Sequence, residues 1–211
     1  MDALDKLTEI FKKFPGIGPR QAKRFVYHIL QEKEEDIGDL INTISNIKRG
    51  ISICDKCYRY FENKNKHEVV PCPICINNSR DHSTLMIVAK DIDLLAVERS
   101  RAYNGLYFVL GNTVPILDEE PHKKIRQGEL LYRIDELTGV MESPSKLKEV
   151  IVATSVNTEG EHTAFYINTL LRPYVEKHGF KITTLGRGLS TGTELEYSDG
   201  DTLKSALENR H

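Results

Sequence analysis

No apolar run in this chain is long enough to cross a bilayer: runs such as residues 85–89 and 150–153 are short. The amino terminus, Met1-Asp2-Ala3-Leu4-Asp5, has no basic start leading into an apolar stretch, so no secretory signal is expected. Neither charge dominates. The net charge of −2 excludes a globally basic nucleic-acid coat, and any contact with DNA must come from a local patch. Cysteine is scarce, four in 211 residues. With no secretory signal these are expected to stay reduced, which points to the cytoplasm. Hydrophobic content of 39% and charged content of 28% are ordinary for a globular protein with a core of its own.

The four cysteines fall in two pairs, Cys54-Asp55-Lys56-Cys57 and Cys72-Pro73-Ile74-Cys75. Two residues between cysteines let both thiolates reach one ion from a tight turn. Two such turns complete a four-sulfur tetrahedral site, the arrangement structural zinc prefers. The polar stretch between the pairs, residues 62–68, has too little apolar surface to order itself, so metal binding is expected to supply folding free energy there. Disulfides, free thiols, or His67 in place of one cysteine are the alternatives.

Ahead of the cysteines, Leu4, Leu7, Ile10, Phe11 and Phe14 share one helical face, and Pro15 closes that helix. Pro15-Gly16-Ile17-Gly18-Pro19 follows, then a second amphipathic helix from about Arg20 to Leu30. Gly16 and Gly18 allow a sharp turn close to a phosphate. The second helix would aim its first N–H groups at the anion, with Ile17 plugged into the core. Arg20, Lys23 and Arg24 on that helix, with Lys12 and Lys13 before the hairpin, supply local positive charge. A plain helical hairpin with a solvated basic face is the alternative. The unit resembles the helix-hairpin-helix module of DNA-binding proteins, which contacts backbone and implies little sequence preference. Residues 31–36 read as a solvated turn, and Ile37, Leu40, Ile41, Ile44 and Ile47 mark a third helix.

From residue 85 onward strands alternate with helices: strands at 85–89, 105–110, 149–153 and 181–185, helices at 93–101, within 121–137 and at 159–174. The helix at 93–101 turns Leu94, Leu95 and Val97 inward. This pattern predicts an α/β layer with a largely parallel sheet. Ligands in such sheets sit beyond the carboxyl ends of the strands. The loop there, Ala153-Thr154-Ser155-Val156-Asn157-Thr158-Glu159-Gly160-Glu161, resembles the metal loop of Toprim domains, with Ser155 and Asn157 in place of that pattern's two aspartates. Ala89, or Lys90 in the neighbouring register, stands where Toprim enzymes keep a glutamate. Asp93, Glu159 and Glu161 remain. Hard divalent metals need clustered carboxylates, so the site is expected to be impaired or inert in catalysis. Residues 186–197 are glycine-rich but lack the Gly-Lys-Ser/Thr ending of a phosphate loop, and read as a turn or subunit contact. A short helix at 199–210 closes the chain.

This order of parts resembles the RecR family of bacterial recombination mediators. The resemblance is carried by Phe14-Pro15-Gly16-Ile17-Gly18-Pro19, the four cysteines, Ser79-Arg80-Asp81, Ala153-Thr154 with Glu159-Gly160-Glu161, and Leu195-Glu196-Tyr197 followed by Thr202-Leu203 and Ala206-Leu207-Glu208. It implies a helix-hairpin-helix region at 1–53, a zinc module at 54–78, a Toprim-like domain at 79–175 and a glycine-rich segment with a helical tail at 176–211. It also implies a non-enzymatic, DNA-binding protein that assembles as dimers or tetrameric rings. With RecO, and in many bacteria RecF, such a protein helps RecA replace single-strand-binding protein on gapped DNA. Gly16, Gly18, Arg20, Lys23 and Arg24 become DNA contacts, Cys54, Cys57, Cys72 and Cys75 the ligands of one zinc ion, and Asp93, Glu159 and Glu161 a partner surface. The chain departs from the family at Ala89, usually glutamate, and across residues 110–119, where Asn112 and its neighbours replace a Leu-Gly-Gly and Ser-Pro-Leu-Asp-Gly pattern. A magnesium-dependent Toprim nuclease or topoisomerase-like enzyme using Asp93, Glu159 and Glu161 is one rival reading. A zinc-stapled interaction protein without DNA binding is another.

Overall fold

Pro15 and the glycines beside it break the amino-terminal helices as the sequence predicts, but the first helix stops earlier. The computed structural model describes residues 1–63, 70–117, 120–139, 147–186, 188–189, 192 and 194–208. Helix α1 spans Ala3–Phe11, capped by Asp2, whose carboxylate accepts from Asp5 N–H at 2.7 Å. Residues 12–14 form the turn instead of a last helical turn. Helix α2 spans Pro19–Ile29, with Pro19 at its first position where no N–H is needed. Helix α3 spans Glu34–Gly50. Residues 31–33 of the charged run lie outside any helix as expected, but its second half begins this one: Glu34, Glu35 and Asp36 occupy the first turn, where negative charge is favoured.

The chain divides into two units. One is Met1–Ile51 with residues 62 and 63 among those described, and the other holds the rest. The first unit is thinly packed. Helices α1 and α2 meet through Phe11, whose ring lies 5.7 Å from that of Phe25 and 6.0 Å from that of Phe14. Ala22, Val26 and Thr8 are buried, Ile17 is half-buried, and α3 buries no residue at all. On the apolar faces of these two helices, Ile10, Phe14, Phe25 and Leu30 are exposed.

A short hairpin, strands β1 (Ile51–Ile53) and β2 (Tyr60–Glu62), surrounds the first cysteine pair, and its residues 52–53 and 60–61 belong to the second unit. A four-stranded sheet follows in the order β4-β3-β5-β6, from β3 (Asp81–Val88), β4 (Gly105–Val109), β5 (Glu149–Ala153) and β6 (Lys181–Thr184). Every pairing is parallel. Helices α4 (Asp91–Ser100), α5 (Gln127–Leu137) and α6 (Thr158–His178) connect the strands. Leu94 is buried and Val97 half-buried on α4, but Leu95 is 40% exposed, against expectation. Helix α6 continues four residues past Tyr174 and carries Pro173 inside it. Leu171, Tyr174 and Val175 pack into the core on that last stretch, and this outweighs the hydrogen bond Pro173 forfeits. Helix α7 (Gly200–Glu208) closes the described chain. Among the described residues no helix is long and apolar enough to cross a membrane.

The chain leaves β3 toward one edge of the sheet and β5 toward the other. The order therefore reverses between β3 and β5, and the loops beyond their carboxyl ends flank a crevice.

Candidate nucleic-acid interface and metal centre

The hairpin between α1 and α2 is built from backbone. Ile17 N–H donates to Phe14 C=O at 3.1 Å, and Gly16 stands at φ 77°, a conformation that favours glycine. Gly18 is different: its φ of −81° suits any residue, and a Cβ there would meet nothing within 4 Å. The fold of this unit does not need glycine at 18. No acidic residue occupies the first turn of α2, and no side chain caps it. Arg20, Lys23 and Arg24 are exposed along its outer side. Lys13 is exposed as well, while Lys12 is engaged by Glu9 at 2.7 Å.

The four cysteines converge. Their sulfurs all lie within 4.8 Å of one another, with Cys54–Cys75 at 3.8 Å and Cys57–Cys72 at 3.6 Å. Cys54, Cys57 and Cys72 are fully buried and Cys75 is 9% exposed. The first turn closes through Tyr58 N–H to Cys54 C=O at 3.1 Å and Cys54 N–H to Arg59 C=O at 2.9 Å. Cys54 Sγ accepts from the N–H groups of Cys72 at 3.1 Å, Lys56 at 3.4 Å and Cys57 at 3.5 Å. The Cys57 thiol beside it, then Cys72 and Cys75, hold Cys54 far below the ordinary thiol range. The same pairing with Cys54 pushes Cys57 and Cys75 up. A set of four soft sulfurs this close and this dry fits one tetrahedral zinc ion, and the cluster is a structural zinc-binding site. Among the described residues it is the only group of three or more ligand side chains that could share a metal. His67, the other candidate ligand, and most of the polar stretch between the pairs lie outside the described residues.

The site is part of the sheet's own packing. The cysteines share one apolar cluster with Met86, Val88, Leu94, Tyr107, Val109 and Ala153. Cys57 C=O accepts from Val109 N–H at 2.8 Å, so the first knuckle is hydrogen-bonded to β4.

At the carboxyl edge of the sheet, Asp93 Oδ2 accepts from Lys90 N–H at 2.9 Å and caps α4. Glu159 Oε2 accepts from the Thr113 hydroxyl at 3.1 Å, pinning the loop after β4 to α6. Glu161 is exposed on the same helix. Asn157 caps α6, accepting from Gly160 N–H at 2.8 Å. Gly160 is required by contact: a Cβ there would stand 1.9 Å from Ser155 C=O, which lies against the helix. Ala89 is buried, 3% exposed, at the place of the family's glutamate, and Lys90 is exposed beside it. Asn112 turns its side chain back to accept from Thr113 N–H at 3.0 Å. Asp93, Glu159 and Glu161 do not gather their oxygens around one point among the described residues. The glycine-rich loop contributes Gly186 and Gly188 to a cavity of about 400 Å³ that Thr154, Glu161 and Thr202 also line.

Three ionic arrangements escaped sequence reasoning. Arg80 Nη2 meets Glu98 at 2.5 Å while Nη1 donates to Gly105 C=O at 2.9 Å. Arg126 Nη1 donates to the carbonyls of Tyr58 and Val109, both at 3.0 Å. Lys56 and Arg133 both bind Glu136. One signal was available: Arg133 falls among Leu130, Ile134 and Leu137 on the buried face of α5, where an arginine must have a partner.

Comparison with known proteins agrees with this geometry. A model of the RecR helix-hairpin-helix matches residues 4–48, a Toprim domain model matches 83–186, and a RecR carboxyl-terminal model matches 188–211. The recombination protein RecR of Staphylococcus haemolyticus (strain JCSC1435) is 36% identical over 209 residues, covering 99% of this chain and 96% of that protein. With hairpin, four-sulfur site and parallel Toprim sheet in the same order and end-to-end similarity at that level, the chain belongs to the RecR family.

Proposed function

We propose that this protein is a DNA-binding recombination and repair mediator which, with a RecO-type partner, helps load RecA on gapped single-stranded DNA. The observation that carries the DNA-binding part is the hairpin itself. Gly18 lacks a Cβ where the fold would accept one, at the uncapped start of a helix with Arg20, Lys23 and Arg24 exposed along it. Such a site grips backbone phosphate and reads little sequence. One copy offers few contacts, and an assembly presenting several hairpins gains affinity because later contacts are intramolecular. The RecR name of its relative supports the mediator part.

The Toprim-like edge acts as a docking surface, with Asp93, Glu159 and Glu161 facing a RecO-type protein. Two of these acids already serve the fold, Asp93 as a helix cap and Glu159 as the anchor of Thr113. Ala89 removes the acid that a Toprim enzyme would add between them.

The test is titration of gapped, end-labelled DNA across a salt series. Arg20→Ala and Arg24→Ala each lower affinity, and each reduces the slope of log K against log salt by about 0.7–0.9. Unchanged slopes remove these arginines from the interface. Strand shortening that depends on magnesium and on Glu159 transfers the function to a nuclease.

A further inference from the structure

We propose that α5 and the Arg126 that precedes it hold the first cysteine turn in its ligating shape, through Glu136 acting on Lys56 and Arg126 acting on Tyr58, and so set how long the protein keeps its metal. The inference rests on the zinc-binding site described above. It assigns Lys56, Arg126 and Glu136 as positioning residues for it.

Lys56 lies between the two cysteines of the first pair. Its ammonium binds Glu136, eighty positions away in sequence, and the other oxygen of Glu136 takes Arg133. The three side chains are only 31%, 21% and 7% exposed for Lys56, Glu136 and Arg133. Burial pushes the Glu136 carboxyl up, but the two cations outweigh it and hold that group below the usual carboxylate range. Directly after the turn, Tyr58 stands at φ 60°, a region an aromatic residue enters only when its surroundings force it. Those surroundings are Arg126, which donates to Tyr58 C=O and lies 5.6 Å from its ring centroid, and Phe108, 5.5 Å away.

The link to the metal is through backbone. Of the three N–H groups that Cys54 Sγ accepts, two belong to Lys56 and Cys57. Their aim depends on where the turn sits, and the turn is anchored at Lys56 and at Tyr58. The second pair is anchored by packing instead: Ile74, in the place of Lys56, is buried in the apolar cluster around the sulfurs, while Pro73 and Ile76 are exposed. Residues bonded to a ligand without touching the metal change affinity by about 10–100-fold when removed, and Glu136 acts on Cys54 one contact further out, through Lys56.

The experiment follows zinc transfer from the full-length protein to a chromogenic chelator, after metal analysis of each preparation. Glu136→Gln and Lys56→Met each speed release by about ten-fold. The double variant is no faster than the faster single, because both break one chain of contacts, and Lys56→Arg restores slow release. Ile182→Ala, in the other core cluster, serves as a control that lowers the melting temperature without speeding release. Singles within about two-fold of the parent overturn the proposal, as does a control that releases zinc as fast as Glu136→Gln. A parent protein that purifies without zinc overturns the metal reading first, a failure seen in the metal analysis and not in the kinetics.

Discussion

Arg80 carries its charge into a place only 12% exposed, where Glu98 and the Gly105 carbonyl receive it. Its guanidinium also lies 5.8 Å from the centroid of the buried Tyr107 ring. Burial raises the Glu98 carboxyl, but Arg80 outweighs that and holds it below the usual range. A folded pKa below the unfolded value of about 4.3 gives stability that is present above that value and lost as pH falls through the folded one. Glu98→Gln should therefore flatten the acid side of the stability profile. Melting temperatures of the two proteins should differ at pH 7 and converge as the pH falls below the carboxylate range. A constant difference would show that the pair contributes no pH dependence. Glu98→Ala leaves Arg80 charged and unpaired, at the lower end of the about 3–5 kcal/mol lost when one partner of a buried pair is removed. Ser79-Arg80-Asp81 was visible in the sequence only as a family signature. Its physical role needed the fold, because Glu98 and Gly105 reach Arg80 through tertiary packing.

Helix α3 puts the plainest demand on its surroundings. Leu40, Ile41, Ile44 and Ile47 are each 46–58% exposed, and no residue of the helix is buried. Covering one such side chain is worth about 1.5–3 kcal/mol, so a stripe of four is a strong drive to associate. The prediction is that a second copy of the chain covers it. Ile44→Glu or Ile47→Glu should leave the chain folded, since neither side chain packs inside it, and should lower the mass found by light scattering. An unchanged mass would move the subunit contact elsewhere. The same helix shows where sequence reading succeeds and fails. Its periodicity located the element, but periodicity identifies an apolar face without saying what covers it. Strand β5 was read with its true bounds because a short apolar run between polar residues has one stable place, inside a parallel sheet. Helix α6 runs to His178, four residues past the expected end, because Val175 packs into the core there and that packing is tertiary. The cysteine ligands were complete in the spacing alone, while Lys56, Arg126 and Glu136 behind them were not, since contacts made 68 and 80 positions apart leave no pattern in a single sequence.

The two units differ in how they are held, and the difference decides what the metal does for the protein. The sequence suggested a staple in a polar stretch beside a core that stands without it. The structure puts the four sulfurs among Met86, Val88, Leu94, Tyr107 and Val109, on one face of the sheet itself. Four unliganded sulfurs packed within 4.8 Å cannot all take the charge they hold around zinc. Stripping zinc should therefore loosen the sheet as well as the knuckles. Hydrogen exchange before and after chelation is the direct measurement. The amides of Val109, which bonds Cys57 C=O, and Leu110, which bonds Val88 C=O, should lose protection together. The Ala22 amide in α2 belongs to the other unit and to a local helical bond with Gly18 C=O, so its protection should change far less. Loss confined to residues 54–63 and 70–76 would return the metal to the role of a local staple. Equal loss in both units would mean that the protein unfolds as a single cooperative body once the ion is gone.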